Sequence, residues 1–151
     1  MNHILHEIKS GLFRFLAFAF IFLVGQYIVW QVYPYRTADV QEPIVVTNLN
    51  NEVAPGGTLG LYIEFDKFTD LTPDVSRNLI CLSGNVYSVT PAQERASLPQ
   101  GDGQTANSFY TVDTTAQDGD MCVFEFKNDY RVNPVRTITN KWRSEVITIK
   151  E

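Results

Sequence analysis

The sequence predicts an all-β domain, an antiparallel two-sheet sandwich of about seven strands, preceded by one N-terminal transmembrane α-helix. Three observations lead there. Residues 15–33 form a run of nineteen without a charged side chain. From residue 36 onward, short segments alternate apolar and polar side chains with period two, separated by glycine, proline and asparagine turn signals. None of those segments repeats its apolar residues at the spacing of an amphipathic helix.

The first element is "RFLAFAFIFLVGQYIVWQVYPYR", residues 14–36. A bilayer core about 30 Å thick needs about 20 apolar residues at a rise of about 1.5 Å each, and this run meets that length with little tilt. A cleaved signal has about 7–15 apolar residues and then a small-x-small site. Here the one small residue nearby is Ala38, with Arg36 two positions before it. A soluble core helix would show a polar face, whereas this segment is apolar all round. The reading is therefore a retained anchor, with Phe15, Phe18 and Phe22 facing lipid and Trp30 and Tyr33 at the headgroup level. Pro34 ends it. Lys9, Arg14 and the α-amino group oppose only Glu7 on the N-terminal side, which places that end in the cytoplasm and exports the rest. The organisation read from this is a cytoplasmic N-terminus at 1–11, an anchor at 12–35, a stalk "RTADVQEP" at 36–43 and an exported domain at 44–151, periplasmic or extracellular. Gly11 and Gly25 are too far apart for a GxxxG pair. Gln26 and Gln31, toward the outer end, are either hydrated or contacts for a partner helix.

The strands follow in order. Ile44 to Thr47 is a first strand, and "APGG" at 54–57 is a turn whose glycines allow positive φ. "TLGLYIEF" at 58–65 puts Leu59, Leu61, Ile63 and Phe65 on one face, as in a sheet with one buried side. "NLICLSG" and "VYSVT" form a hairpin or bulged strand about Gly84-Asn85. "PQGDGQTAN" at 99–107 reads as a long polar loop. "SFYTVD" and "DMCVFEFK" are strands joined by "TTAQDG", with Cys122, Phe124 and Phe126 on one face. "RVNPVRTITN" reads as irregular because of Pro134, and "SEVITIK" is the last strand.

The segments "PGGTLGLYIEF" and "GDMCVFEF" resemble the turn-into-strand and the late cysteine strand of immunoglobulin-like and fibronectin type III-like domains. The chain departs from the antibody pattern: no tryptophan lies between Cys81 and Cys122, and Asp120 stands where a tyrosine would be. The resemblance covers the exported part and implies an immunoglobulin-like sandwich. With its anchor, the chain resembles accessory proteins of bacterial envelopes and tailed phages.

From residue 36 onward there are sixteen acids and ten bases, a net charge of −6, which offers no basic stripe for nucleic acid. Cys81 and Cys122 are the only cysteines, and on the oxidising side of a membrane they pair, closing a loop worth about 3–4 kcal/mol. The only histidines, His3 and His6, precede the anchor, so a Ser-His-Asp or Cys-His mechanism in the exported part lacks its base. Asp113, Asp118 and Asp120 crowd one loop and are calcium-ligand candidates, although their spacing does not match the EF-hand. No cofactor motif or small-molecule substrate site stands out, and a sandwich of this size offers little room for a sugar cleft. "NKWRS" at 140–144 places Trp142 beside Arg143. With Arg131 and Arg136, these residues form the partner-binding candidate, the opposing reading being that Trp142 plugs the sandwich. The expected function is a membrane-anchored binding or scaffolding module that presents its domain to a protein partner, or to a second copy, and is not an enzyme. The alternatives are a small envelope hydrolase using a carboxylate pair, and a pilin-like subunit, which would want a glutamate five residues past a glycine cut site.

Overall fold

The computed structural model describes residues 2–92 and 100–151, and side chains at 11–92 and 100–151. The chain divides into two units, Met1–Tyr35 with Asn133–Arg136, and Arg36–Val132 with Thr137–Glu151.

In the first unit, α1 (Asn2–Val32) is one continuous helix. Its segment Gly11–Val32 has a mean hydropathy of 2.0 and none of it is buried, unlike a soluble core helix. It is long and apolar enough to cross a membrane, a property that anchors and signal sequences share. Phe15, Phe18, Phe22, Trp30 and Tyr33 are all exposed on it or just beyond its end. The helix stops at Val32 because the residue before Pro34 is disfavoured in the α region. In the same unit, Asn133 Nδ2 donates to the Trp30 carbonyl at 3.0 Å and Arg136 Nη1 to the Tyr33 carbonyl at 2.7 Å. These donors satisfy carbonyls that a helix end leaves without intrahelical partners.

The β-strands are β1 (Ala38–Val40), β2 (Val45–Val46), β3 (Glu52–Val53), β4 (Thr58–Lys67), β5 (Asp74–Cys81), β6 (Val86–Pro91), β7 (Gly101–Val112), β8 (Met121–Asn133) and β9 (Arg136–Ile149). They form one sheet in the order β1-β4-β7-β6-β5-β8-β9-β3, with β2 also on β4. The sheet is curled into a half-barrel, and the two separate layers of a sandwich are not what its pairing shows. β6 is the corner: Val86–Ser88 pair with β5, and Val89–Pro91 pair with β7. Alternation reports that one face of each strand is buried. It does not report whether the cover is a second sheet or the same sheet curling round.

Within residues 36–43, expected as a stalk, Ala38–Val40 form a strand of the sheet. Ala38, Asp39 and Val40 pair with Lys67, Asp66 and Phe65, while Thr37 and Val40 are buried. This segment also reaches the far edge: Asn140 Nδ2 donates to Thr37 Oγ1 at 2.7 Å, and Ile44 bridges Ser144 in parallel. Farther on, β3 pairs in parallel with the end of β9. Polar composition suggested a stalk, yet an edge strand needs only backbone groups and one inward apolar residue.

The supposed loop at 99–107 is mostly strand. From Gly101, β7 pairs along β4, with Gln104 opposite Phe65 and Asn107 opposite Tyr62. Thr105 and Asn107 lie in its outward row while Gln104 shares the face of Phe65, and residues 93–99 lie outside the described residues. Nor is the stretch 131–140 irregular. Pro134 and Val135 form a two-residue turn between β8 and β9, where proline's missing N–H costs no ladder bond, and Asn133 Oδ1 accepts from the Val135 amide at 3.0 Å. In β4, the alternation expected at Leu59, Leu61, Ile63 and Phe65 is observed, with all four buried. Gly60 lies among them at a close approach: a Cβ there would overlap Thr47 Oγ1, and its N–H donates to Asn48 Oδ1 at 2.7 Å.

The core is closed at one end by Leu59, Leu61, Leu79, Val112, Phe124, Ile147 and Ile149. Cys81 and Cys122 face each other across β5 and β8 and are joined by a disulfide, as the cysteine pair suggested.

Candidate functional site

Each long strand carries one inward row, and the rows change character along their length. On β4 the row runs Leu59, Leu61, Ile63, Phe65 and ends at Lys67, itself buried. On β5 the row reads Cys81 and Leu79, then Arg77 and Val75. On β8 it reads Cys122, Phe124, Phe126, then Asn128 and Tyr130. β7 contributes Tyr110 and Ser108, β9 contributes Trp142, and β1 contributes Ala38 and Val40. Where the rows turn polar, these side chains line a cavity of about 300 Å³ within the curl.

Its walls are mostly apolar, and a ladder of rings runs from the closed core into it. Tyr110 and Phe124 lie 5.0 Å apart between centroids, Phe124 and Phe126 6.4 Å, Phe126 and Trp142 5.8 Å. The Arg77 guanidinium sits 5.7 Å from the Tyr110 ring and 5.6 Å from the Phe126 ring, within reach of both π-faces. Its Nε is buried and has no hydrogen-bond partner among the described residues. Asn128 is 6% exposed, and its Oδ1 is likewise buried and unpaired, while its Nδ2 donates to the Tyr130 hydroxyl at 3.4 Å. Burial pushes the Tyr130 phenol above its ordinary value, opposed in part by Asn128. The described lining includes Lys67 and Arg77 and no Asp or Glu.

The acids nearby face outward. Asp129 accepts from Lys127 Nζ at 2.6 Å and from Thr139, and the Lys127 bond is the main cause of its lowered pKa. Glu125 pairs with Arg143 at 3.1 Å and lies 4.0 Å from Lys141.

The expected partner face does not assemble. Residues 140–144 are not a loop but the middle of β9, so Trp142 points inward, 6% exposed, while Arg143 points outward to Glu125. Arg131 is exposed on β8, and Arg136 is engaged at the end of α1. Trp142 is a wall of the cavity, which is the plugging role weighed against recognition.

The three aspartates expected for calcium are each used differently. Asp113 accepts from the Thr115 amide at 2.8 Å and hydroxyl at 2.7 Å, a local turn that lowers its pKa. Asp118 accepts from the Glu151 amide at 3.1 Å. Asp120 accepts from Asn85 at 3.0 Å and Tyr87 at 2.8 Å, bonds that hold its carboxyl below the usual range. Among the described residues, the three side chains whose ligand atoms come within 4.8 Å of one another are Cys81, Asp120 and Cys122, and the disulfide removes two of them as ligands. His3 and His6 lie outside the residues whose side chains are described.

The cavity was missed by reading the sequence, although a signal existed. Lys67, Arg77 and Asn128 stand at inward parity in strands whose other inward residues are apolar. No family model matches the chain, and neither the curated proteins nor the solved structures contain a significant match.

Proposed function

We propose that the protein is a single-pass membrane protein, N-terminus in the cytoplasm, whose helix holds the β-domain at the outer face of a membrane as a binding module. The domain takes its ligand into the cavity of the curl. One observation carries this reading: the same chain joins an exposed apolar helix of 22 residues, Gly11–Val32, to a disulfide-linked domain whose inward rows end in a cavity with unpaired polar atoms. The disulfide supports export, because such bonds persist in oxidising compartments. An immunoglobulin-like or fibronectin type III-like description, of the bacterial envelope or tailed-phage kind, rests on the sequence resemblance alone, because the disulfide here joins the neighbouring strands β5 and β8 of one sheet.

A second reading, presentation to a protein partner, is favoured by Leu82, Val86 and Met121, large apolar side chains 83%, 61% and 47% exposed near the disulfide. A carboxylate-pair hydrolase finds no support in this cavity, since none of its described lining residues is an acid.

Topology is tested by labelling intact cells with a membrane-impermeant thiol reagent. Labelling of Cys81 and Cys122 only after reduction is the expected result. Labelling only after lysis, without reductant, overturns the exported orientation.

A further inference from the structure

We infer that the cavity is a binding site for a small carboxylate amphiphile: an apolar body whose carboxylate has an O–H or N–H donor beside it, as in a 2-hydroxy acid or an N-acylated amino acid. The inference rests on the cavity being a ligand site and is independent of the membrane topology.

The requirement for an anion comes from Arg77. Arg77 brings a positive charge to the lining on a half-buried side chain whose Nε is inaccessible to solvent. The rings of Tyr110 and Phe126 offer that charge their faces. Among the described residues they leave the buried Nε–H without an acceptor. A donor on a guanidinium edge is best met by a carboxylate or phosphate oxygen in its plane, through a charge-assisted bond. The described lining holds no Asp or Glu.

The requirement for a donor comes from Asn128. Its Oδ1 is an acceptor with no partner in a side chain only 6% exposed. A bare carboxylate facing that oxygen would repel it, so the ligand must bring a hydrogen there. The register places the two groups together: Arg77 is opposite Phe126 and Val75 is opposite Asn128, which makes Arg77 and Asn128 diagonal neighbours on the inward face. Diagonal neighbours lie about 7–8 Å apart, a span that one bifunctional head group covers.

The apolar body follows from the walls. Val40, Ile63, Phe65 and Trp142 face the remaining space. At about 300 Å³, the cavity is at the small end of ligand pockets, which favours a short chain or single ring over a diacyl lipid.

The test is calorimetric titration of the full chain in phosphatidylcholine nanodiscs, with empty-disc heats subtracted. The probes are 2-hydroxyoctanoate, octanoate, 1-octanol and octylamine. The expected order is 2-hydroxyoctanoate tightest, octanoate next, with the alcohol and the amine weaker by about tenfold or more. Arg77→Gln should weaken 2-hydroxyoctanoate by about tenfold or more and leave octanol unchanged. Asn128→Leu should erase the advantage of the hydroxy acid over octanoate. Octanol or octylamine binding the unaltered protein as well as octanoate would overturn the carboxylate assignment while sparing the cavity as a ligand site. Absence of binding by all four would overturn both, and leave ordered water as the partner of Arg77 and Asn128. The probe series on the unaltered protein decides the matter even if a variant fails to fold.

Discussion

Two halves of the β-domain's interior are built from the same strands and do opposite things. In one half the inward positions are Leu59, Leu61, Leu79, Val112, Phe124, Ile147 and Ile149, all buried to 1% exposure or less, and a disulfide ties β5 to β8 beside them. In the other half the same rows continue as Ile63, Phe65, Phe126 and Trp142 interspersed with Lys67, Arg77, Asn128 and Tyr130 around a cavity. A curled sheet can thus separate its tasks along the strand axis. Apolar burial in one half holds the curl shut. That leaves the other half free to carry desolvated polar groups that a close-packed core would not tolerate.

Truncation should divide the halves most sharply. Phe124→Ala removes a wholly buried ring from the closed half and should cost about 3–5 kcal/mol, read from urea unfolding by circular dichroism. Val75→Ala, on the half-buried wall of the cavity, should cost about 1 kcal/mol or less. Equal losses would mean that the cavity half is packed as tightly as the core.

Next comes the disulfide. Replacing Cys81 and Cys122 together by alanine should lower stability by about 3–4 kcal/mol, measured the same way, and leave cavity ligand binding largely intact once folded. A loss of binding at full folding would show that the halves are coupled rather than separate.

Arg77→Met tests the opposite sign. It removes a half-buried charge whose Nε has no partner among the described residues, so stability should stay within about 1 kcal/mol of the unaltered protein, or rise. A loss of several kcal/mol would make Arg77 a structural group held by its two rings.

The smallest effects are those of pH. Asp120, near the disulfide, is held below the usual carboxylate range chiefly by Asn85, then Tyr87 and Ser83. The stability it contributes is present above the unfolded value of about 3.9 and is lost as pH falls through the folded value. Tyr130, in the cavity half, is raised above its ordinary 10.0 by burial, so its contribution is complete below about pH 10 and is lost as pH rises beyond it. Asp120→Asn should flatten part of the acid limb of unfolding midpoint against pH, and Tyr130→Phe part of the alkaline limb. Tyr87, also raised by burial, accounts for some of the alkaline limb in the closed half.

The apolar helix and the long alternating strands were readable because their signals are local. Nineteen uncharged residues need no partner to be recognised, and the row Leu59, Leu61, Ile63, Phe65 declares its face by period alone. Residues 38–40 and 101–107 read as stalk and loop from their polar surroundings, whereas their place in the sheet comes from backbone pairing with β4. Trp142 stays open between recognition and plugging in the sequence because its neighbours Lys141 and Arg143 are charged. On a strand, such neighbours face the opposite way.

The sequence by itself determined the apolar helix, the β class, the buried parity of the long strands and the availability of one cysteine pair. Tertiary structure alone decided that one sheet curls through a corner at β6, that residues 37–53 reach both of its edges, and that Arg77 and Asn128 become diagonal neighbours inside it. The physical reason is range. Side-chain alternation follows from the pleat of a single strand, whereas register and strand order depend on hydrogen bonds between residues that are tens of positions apart.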